Sequence, residues 1–128
     1  MAHRVVARFP DGRMVKGVTR DFDHGRRAFH IQPQDPTEDC VQVYVRDLKA
    51  VFFVQRWQGD RYYDEHSEWT QGAGSRVEVT FRDGEQLRGF TVDPMDDQQG
   101  FYLQPVDRNS NNERVYVVYR SVQRVDFV

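Results

Sequence analysis

The sequence predicts an all-β chain built as two tandem five-stranded small barrels. Three observations carry that prediction. A stretch near the N-terminus recurs further along in one register. Apolar residues alternate with period two in both copies. No segment carries a helical period.

The recurrence is specific. Arg4–Gly12 (RVVARFPDG) returns as Arg76–Gly84 (RVEVTFRDG). The same spacing holds at Gly17/Gly89, Thr19/Thr91, Phe29/Phe101, Gln32/Gln104 and Pro33/Pro105. It then matches Val43-Tyr44-Val45 with Val115-Tyr116-Val117. Beyond that point the second copy is expected to gain two residues, so that Val51 and Val54 match Val125 and Val128. Two copies are too few for a solenoid, and a duplicated domain is the reading that fits. The boundaries are residues 1–54 for the first barrel, 55–75 for a linker and 76–128 for the second barrel.

Each strand has its own signal. Val5, Ala7 and Phe9 alternate as Val77, Val79 and Phe81 do, which marks a half-buried first strand. Asp11-Gly12 and Asp83-Gly84 follow at once and predict a hairpin. The second strand runs from Met14 to about Phe22, with Gly17 at a bend or a close backbone approach. Ala28–Gln32, ended by Pro33, is the third strand and Val41–Val45 the fourth. The fifth, Lys49–Val54, is apolar on both faces, so its outer face needs a cover from the second copy or the linker. Gln123–Phe127 alternates cleanly, so the second copy should expose that face.

The linker carries Trp57, Tyr62, Tyr63 and Trp69 among acidic residues. An idle tether would not expose two tryptophans. They are expected to pack against the barrels, and they are also the candidate surface for a protein partner.

Composition narrows the function classes. A hydrophobic content of 38% is low, but 13% aromatic residues supply large core side chains. A formal charge of −2 argues against a strongly basic nucleic-acid binder. Cys40 is the lone cysteine, which excludes an internal disulfide and fits a reducing, cytoplasmic setting. The longest apolar run, Ala50–Val54, is far too short to cross a membrane as a helix, and no signal-peptide pattern opens the chain. The four histidines and Cys40 have no metal-ligand spacing, and no nucleophile elbow, HExxH or phosphate-binding glycine loop occurs. The expectation is therefore no enzyme, no metal and no cofactor.

Asp11–Asp23 (DGRMVKGVTRDFD) resembles the first Sm motif, and Val43–Asp47 (VYVRD) resembles the second. The resemblance implies an Sm-like or SH3-like barrel. It also implies an RNA base site in which Asp23 and Arg46 hold the Asp and Arg positions. Ala28 stands where the motif has Asn, and Asp47 where it has Gly. In the second copy Met95 and Val118 are expected at the Asp and Arg positions, which would leave no such site there. The Ala50–Val54 strand and the Ser-Asn-Asn-x-Arg-Val-Tyr-Val stretch of residues 110–117 resemble a bacterial domain of unknown function associated with PilZ-containing proteins. That resemblance implies no activity.

Arg20, Arg26 and Arg27 form the one basic cluster and, with Asp23 and Arg46, the candidate ligand or RNA site. Arg4 and Arg8 have the arginine spacing of a cyclic-dinucleotide site, but both should lie on the solvent face of the first strand. Three functions remain. The first is a non-catalytic module that binds or scaffolds a protein partner. The second is an Sm-like RNA binder, and the third a sensor of a cyclic dinucleotide or another anion.

Overall fold

Ten short strands, all paired antiparallel, follow from the alternation and its turns. The structure, a computed structural model, describes residues 2–54, 74–92, 99–106 and 112–128. The first half forms β1 (His3–Arg8), β2 (Met14–Thr19), β3 (Ala28–Pro33), β4 (Val41–Tyr44) and β5 (Ala50–Val54). The second forms β6 (Ser75–Phe81), β7 (Gln86–Thr91), β8 (Gly100–Pro105), β9 (Asn112–Val118) and β10 (Val122–Phe127). Single 3₁₀ turns over Val45–Asp47 and Tyr119–Ser121 lead into β5 and β10.

The strands lie in one open sheet of order β10-β6-β7-β8-β9-β5-β1-β2-β3-β4. Two tandem five-stranded barrels were the expectation, with separate closure or shared strands left open, and the sheet instead runs on from one half to the other, with β10 and β4 at its edges among the described residues. The cause is the antiparallel pairing of β5 with β9, from Ala50↔Val117 to Val54↔Asn112.

The hairpins form as the Asp-Gly pairs predict. Gly12 and Gly84 have φ of 95° and 94°, a region open to glycine at little cost. The Gly12 N–H donates to the Phe9 carbonyl at 3.1 Å, and Gly84 donates to Phe81 at 2.9 Å. The mid-strand glycines mark close backbone approach. A Cβ on Gly17 would collide with the Gln32 carbonyl oxygen, and one on Gly89 with that of Gln104.

Pairing registers match between the halves. His3↔Thr19 and Gly17↔Pro33 correspond to Ser75↔Thr91 and Gly89↔Pro105, at the spacing read from the sequence. Phe29 pairs with Val43, whereas Phe101 pairs with Val117. The second half therefore gains its two residues before β9 and not after it. The structural counterpart of Val43 is Val117, and that of Arg46 is Arg120 instead of Val118. The sequence match failed here because Val43-Tyr44-Val45 is identical in letters to Val115-Tyr116-Val117, whereas the pairing aligns it with Val117-Val118-Tyr119.

Two apolar cores lie on opposite faces of the central strands. The first joins Val5, Phe29, Ile31, Val51 and Phe53 to Tyr116 and Val118 from the second half. The second joins Val77, Val79, Phe81, Phe101 and Leu103 to Val6, Ala50, Phe52 and Val54 from the first. All five residues of β5 are buried, and the second half supplies the expected cover for its outer face. Fully burying a valine or phenylalanine side chain contributes about 1.5–3 kcal/mol. Val6 is buried for the same reason, although strict alternation places it outward. Arg8 is likewise not simply solvated. It reaches Glu85 at 3.4 Å and sits 5.4 Å from the Phe52 ring centre.

The second and fourth strands end earlier than predicted. After Thr19 the chain leaves the ladder, and the Asp21 carboxylate accepts the His30 N–H at 2.9 Å while Phe22 packs edge-on against Phe29 at 4.9 Å. After Tyr44 the 3₁₀ turn takes Val45 inward.

Candidate functional site

The two halves share a strand order but differ in what covers their edges, and the difference concentrates at β4. In the second half, the counterpart of β4 is β9, which pairs with β5. Among the described residues β4 itself pairs with β3 alone. Val45 donates its N–H to the Arg27 carbonyl at 2.9 Å, so alternate residues Val41 and Val43 also turn their N–H groups to β3. Gln42 and Tyr44 therefore turn theirs to the open edge.

Beside this edge lies a groove of about 440 Å³ between β4 and the β1–β2 hairpin, lined by Phe9, Met14, Val15, Val41 and Tyr44 among others. Its apolar character is exposed. Met14 is 52%, Tyr44 45% and Val41 37% accessible, whereas Val115, the counterpart of Val41, is 1% accessible. The matching space in the second half is filled, because Phe81, Leu87, Val115 and Val117 pack against Ala50, Phe52 and Val54 of β5.

A second cavity, of about 340 Å³, lies on the other side of Tyr44 and is lined by Arg27, Tyr44, Arg46 and Gln99. The Arg46 guanidinium sits 5.8 Å from the Tyr44 ring centre. Gln99 donates to the His24 and Arg26 carbonyls at 2.8 Å, which ties the second half to this loop.

The predicted basic site is only partly assembled. Arg27 and Arg46 line one cavity, while Asp23 is not among its lining residues. The Asp23 carboxylate instead accepts the Gly25 N–H at 3.0 Å. Arg26 turns to the Asp21 carbonyl at 3.2 Å, and Arg20 is exposed at the end of β2. The cluster divides because Arg20, Arg26 and Arg27 leave the chain before, within and after a turn. Burial alone would raise the Asp21 carboxyl, but hydrogen bonds from the His30 ring and backbone and from Thr19 outweigh it and hold the group below its ordinary range. Sequence reading missed Gln99 and Tyr44, and the only available signal was Tyr44 as an aromatic in phase with polar Gln42 on the fourth strand. Trp57, Tyr62, Tyr63 and Trp69 of the linker, and Met95, lie outside the described residues.

Among the described residues no three His, Cys, Asp or Glu side chains gather as a metal site. No helix there is long and apolar enough to cross a membrane. Cys40 is exposed and unbridged, just ahead of β4.

The fold and these surfaces define an all-β protein with one open antiparallel sheet, an apolar strand edge that no described strand covers and a small basic cavity beside it. The chain belongs to a family described as a family of unknown function (DUF6982), which it matches over residues 1–128. Comparison with curated proteins finds no match. Comparison with solved structures finds none either.

Proposed function

We propose that the protein is a non-catalytic binding or scaffolding module that holds a protein partner at the β4 edge. The observation that carries this reading is where the exposed apolar side chains sit. Of the six large exposed hydrophobic residues among those described, Val41 and Tyr44 lie on β4, and Phe127 and Val128 at the end of β10. Apolar surface gathered on unpaired strand edges is a docking feature, since such edges offer both hydrogen bonds and burial. In this proposal the halves are copies of one Sm-like or SH3-like unit; the matched registers support the duplication. The test is affinity capture with nuclease-treated extract. A partner retained by the native chain is expected to be lost with Val41→Lys, and equal recovery by both proteins would remove the reading.

A second reading rests on the cavity lined by Arg27, Tyr44 and Arg46. Two guanidinium groups beside an aromatic ring can hold a phosphate and stack a base, as short single-stranded RNA or a cyclic dinucleotide would require. Binding of short RNA should then weaken steeply with salt and with Arg46→Ala. The absence of binding at low salt would remove RNA, and the absence of a thermal shift at saturating cyclic dinucleotide would remove the sensor.

A further inference from the structure

The geometry points to the chemistry of the partner: the β4 groove takes an extended segment of another protein, added antiparallel to β4 and presenting apolar side chains at three alternate positions. This rests on the reading of the β4 edge as a protein-docking surface and specifies what docks there.

The structure contains its own precedent. β9 corresponds to β4, and along its outer edge it carries β5 as an antiparallel neighbour. Val118 donates to the Lys49 carbonyl at 3.1 Å, so residues 49, 51 and 53 of β5 direct their hydrogen-bonding groups to β9. Ala50, Phe52 and Val54 drop into the second core against Phe81, Leu87, Val115 and Val117. The corresponding residues around the β4 groove are Phe9, Val15, Val41 and Val43, all apolar and all lining open space. Phe9 is only half-buried, whereas Phe81 is 1% accessible. One half of the molecule thus holds this groove filled, and in the other no described strand fills it.

The register follows from the correspondence. The partner residue that plays Val51 stands opposite Gln42, and the one that plays Phe53 stands opposite Cys40. Gln42 and Tyr44 already turn their N–H groups outward to receive it. The side chains at the Val51 and Phe53 positions lie on the far face and can be polar. Those at the Ala50, Phe52 and Val54 positions enter the groove and cannot.

This requirement discriminates against a second copy of the chain. Of the two edges it could offer, β4 has its inward valines, Val43 and Val45, already enclosed in its own core, and β10 carries Arg124, Asp126 and Val128 at the three groove positions. Arg124 and Asp126 are bridged to each other at 2.8 Å. Burying both charges in an apolar groove is unfavourable, and charged side chains on a free edge commonly block sheet extension. The junction also carries a polar lock that the groove lacks. Lys49 reaches Asp83 at 2.7 Å and Glu85 at 3.0 Å, whereas the matching hairpin has Asp11 already bridged to Arg13 at 2.7 Å. The partner therefore has no need of a lysine ahead of its apolar run.

The test uses the full chain and a labelled peptide carrying residues 48–54 between lysines. Saturable one-to-one binding is expected by fluorescence anisotropy. N-methylation of the peptide backbone at the Val51 and Phe53 positions should weaken it at least tenfold, while N-methylation at the Ala50 and Phe52 positions should leave it within about twofold. This arm needs no protein variant. Gln42→Pro removes an outward N–H that β3 does not use, so it should keep the fold and lose the peptide. No saturable binding, or equal loss from both methylation patterns, overturns the inference. If the peptide fails while Val41→Lys still abolishes capture of a protein partner, the inference falls and the broader reading stands. Light scattering that shows dimers or larger species abolished by Phe127→Lys or by Val41→Lys would assign the groove to a second copy and overturn the inference equally.

Discussion

Two glycines of similar sequence context carry different loads. Gly17 lies against the Gln32 carbonyl and the Ile31 side chain, so a methyl group there must push backbone apart. Gly12 has open space around its Cβ position but a φ of 95°. Gly17→Ala is expected to cost about 2–4 kcal/mol, in the range of core overpacking and above. Gly12→Ala should cost about 1–2 kcal/mol, the ordinary penalty for a left-handed residue. Urea denaturation of the two variants checks the order. Lys49 is a second case, since it is buried while its partners are partly exposed. Hydrogen bonds from Lys49 and from the Glu85 N–H hold the Asp83 carboxyl below its ordinary value of 3.8. The folded value is thus lower than the unfolded one. The stabilisation is present in full above the unfolded value and is lost as pH falls through the folded one. Lys49→Met should flatten the acid limb of a stability profile measured between neutral pH and about pH 2, with the range set by ordinary carboxylate titration. An unchanged limb would exclude this pair from acid unfolding.

Strands β5 and β10 occupy corresponding positions and have opposite surroundings. Phe53 is 2% accessible, with Phe22 at 5.4 Å and the Arg114 guanidinium at 4.4 Å from its ring centre. Phe127, its counterpart, is 64% accessible because no described strand lies beyond β10. Burial thus depends on the neighbour and not on the residue. Phe52→Lys places a charge inside the second core and should cost about 3–5 kcal/mol, or prevent folding. Phe127→Lys should stay within about 0.5 kcal/mol of the native chain. Thermal midpoints of the two variants compare them directly. β4 is the complementary case, a four-residue strand with outward N–H groups and an exposed Val41.

At the scale of the molecule, the cores interlock through the central strands. β5 and β9 each send alternate side chains into both cores, so neither core is complete without residues from the other half. Phe22, Phe53, Tyr102 and Tyr116 form one edge-to-face cluster across the boundary. Such sharing predicts one cooperative unfolding transition. Phe29→Ala in the first core and Phe101→Ala in the second should each lower the same single midpoint, with a loss of about 3–5 kcal/mol apiece. Two resolved transitions, one sensitive to each variant, would show that the halves unfold independently.

Local chemistry made much of this legible in advance. Alternation at Val5, Ala7 and Phe9, the Asp-Gly turns and the mid-strand glycines specify strands and hairpins through short-range sterics that no distant contact alters. The two apolar faces of Ala50–Val54 announced a strand needing cover on both sides. The sequence could not say that β9 would supply part of that cover by pairing edge to edge, because antiparallel pairing is written in backbone groups common to all residues. Letter identity pointed to a register of β9 two residues off the paired one, and so hid Arg120 as the counterpart of Arg46. Of the candidate basic residues, only Arg27 and Arg46 were brought to one cavity, a convergence set by a turn and a 3₁₀ segment that charge counting does not see. The sequence by itself determined the all-β character, the strands and their turns. Only the tertiary structure decided that the sheet stays open and that β4 is left bare, because what an edge meets depends on which strand reaches it.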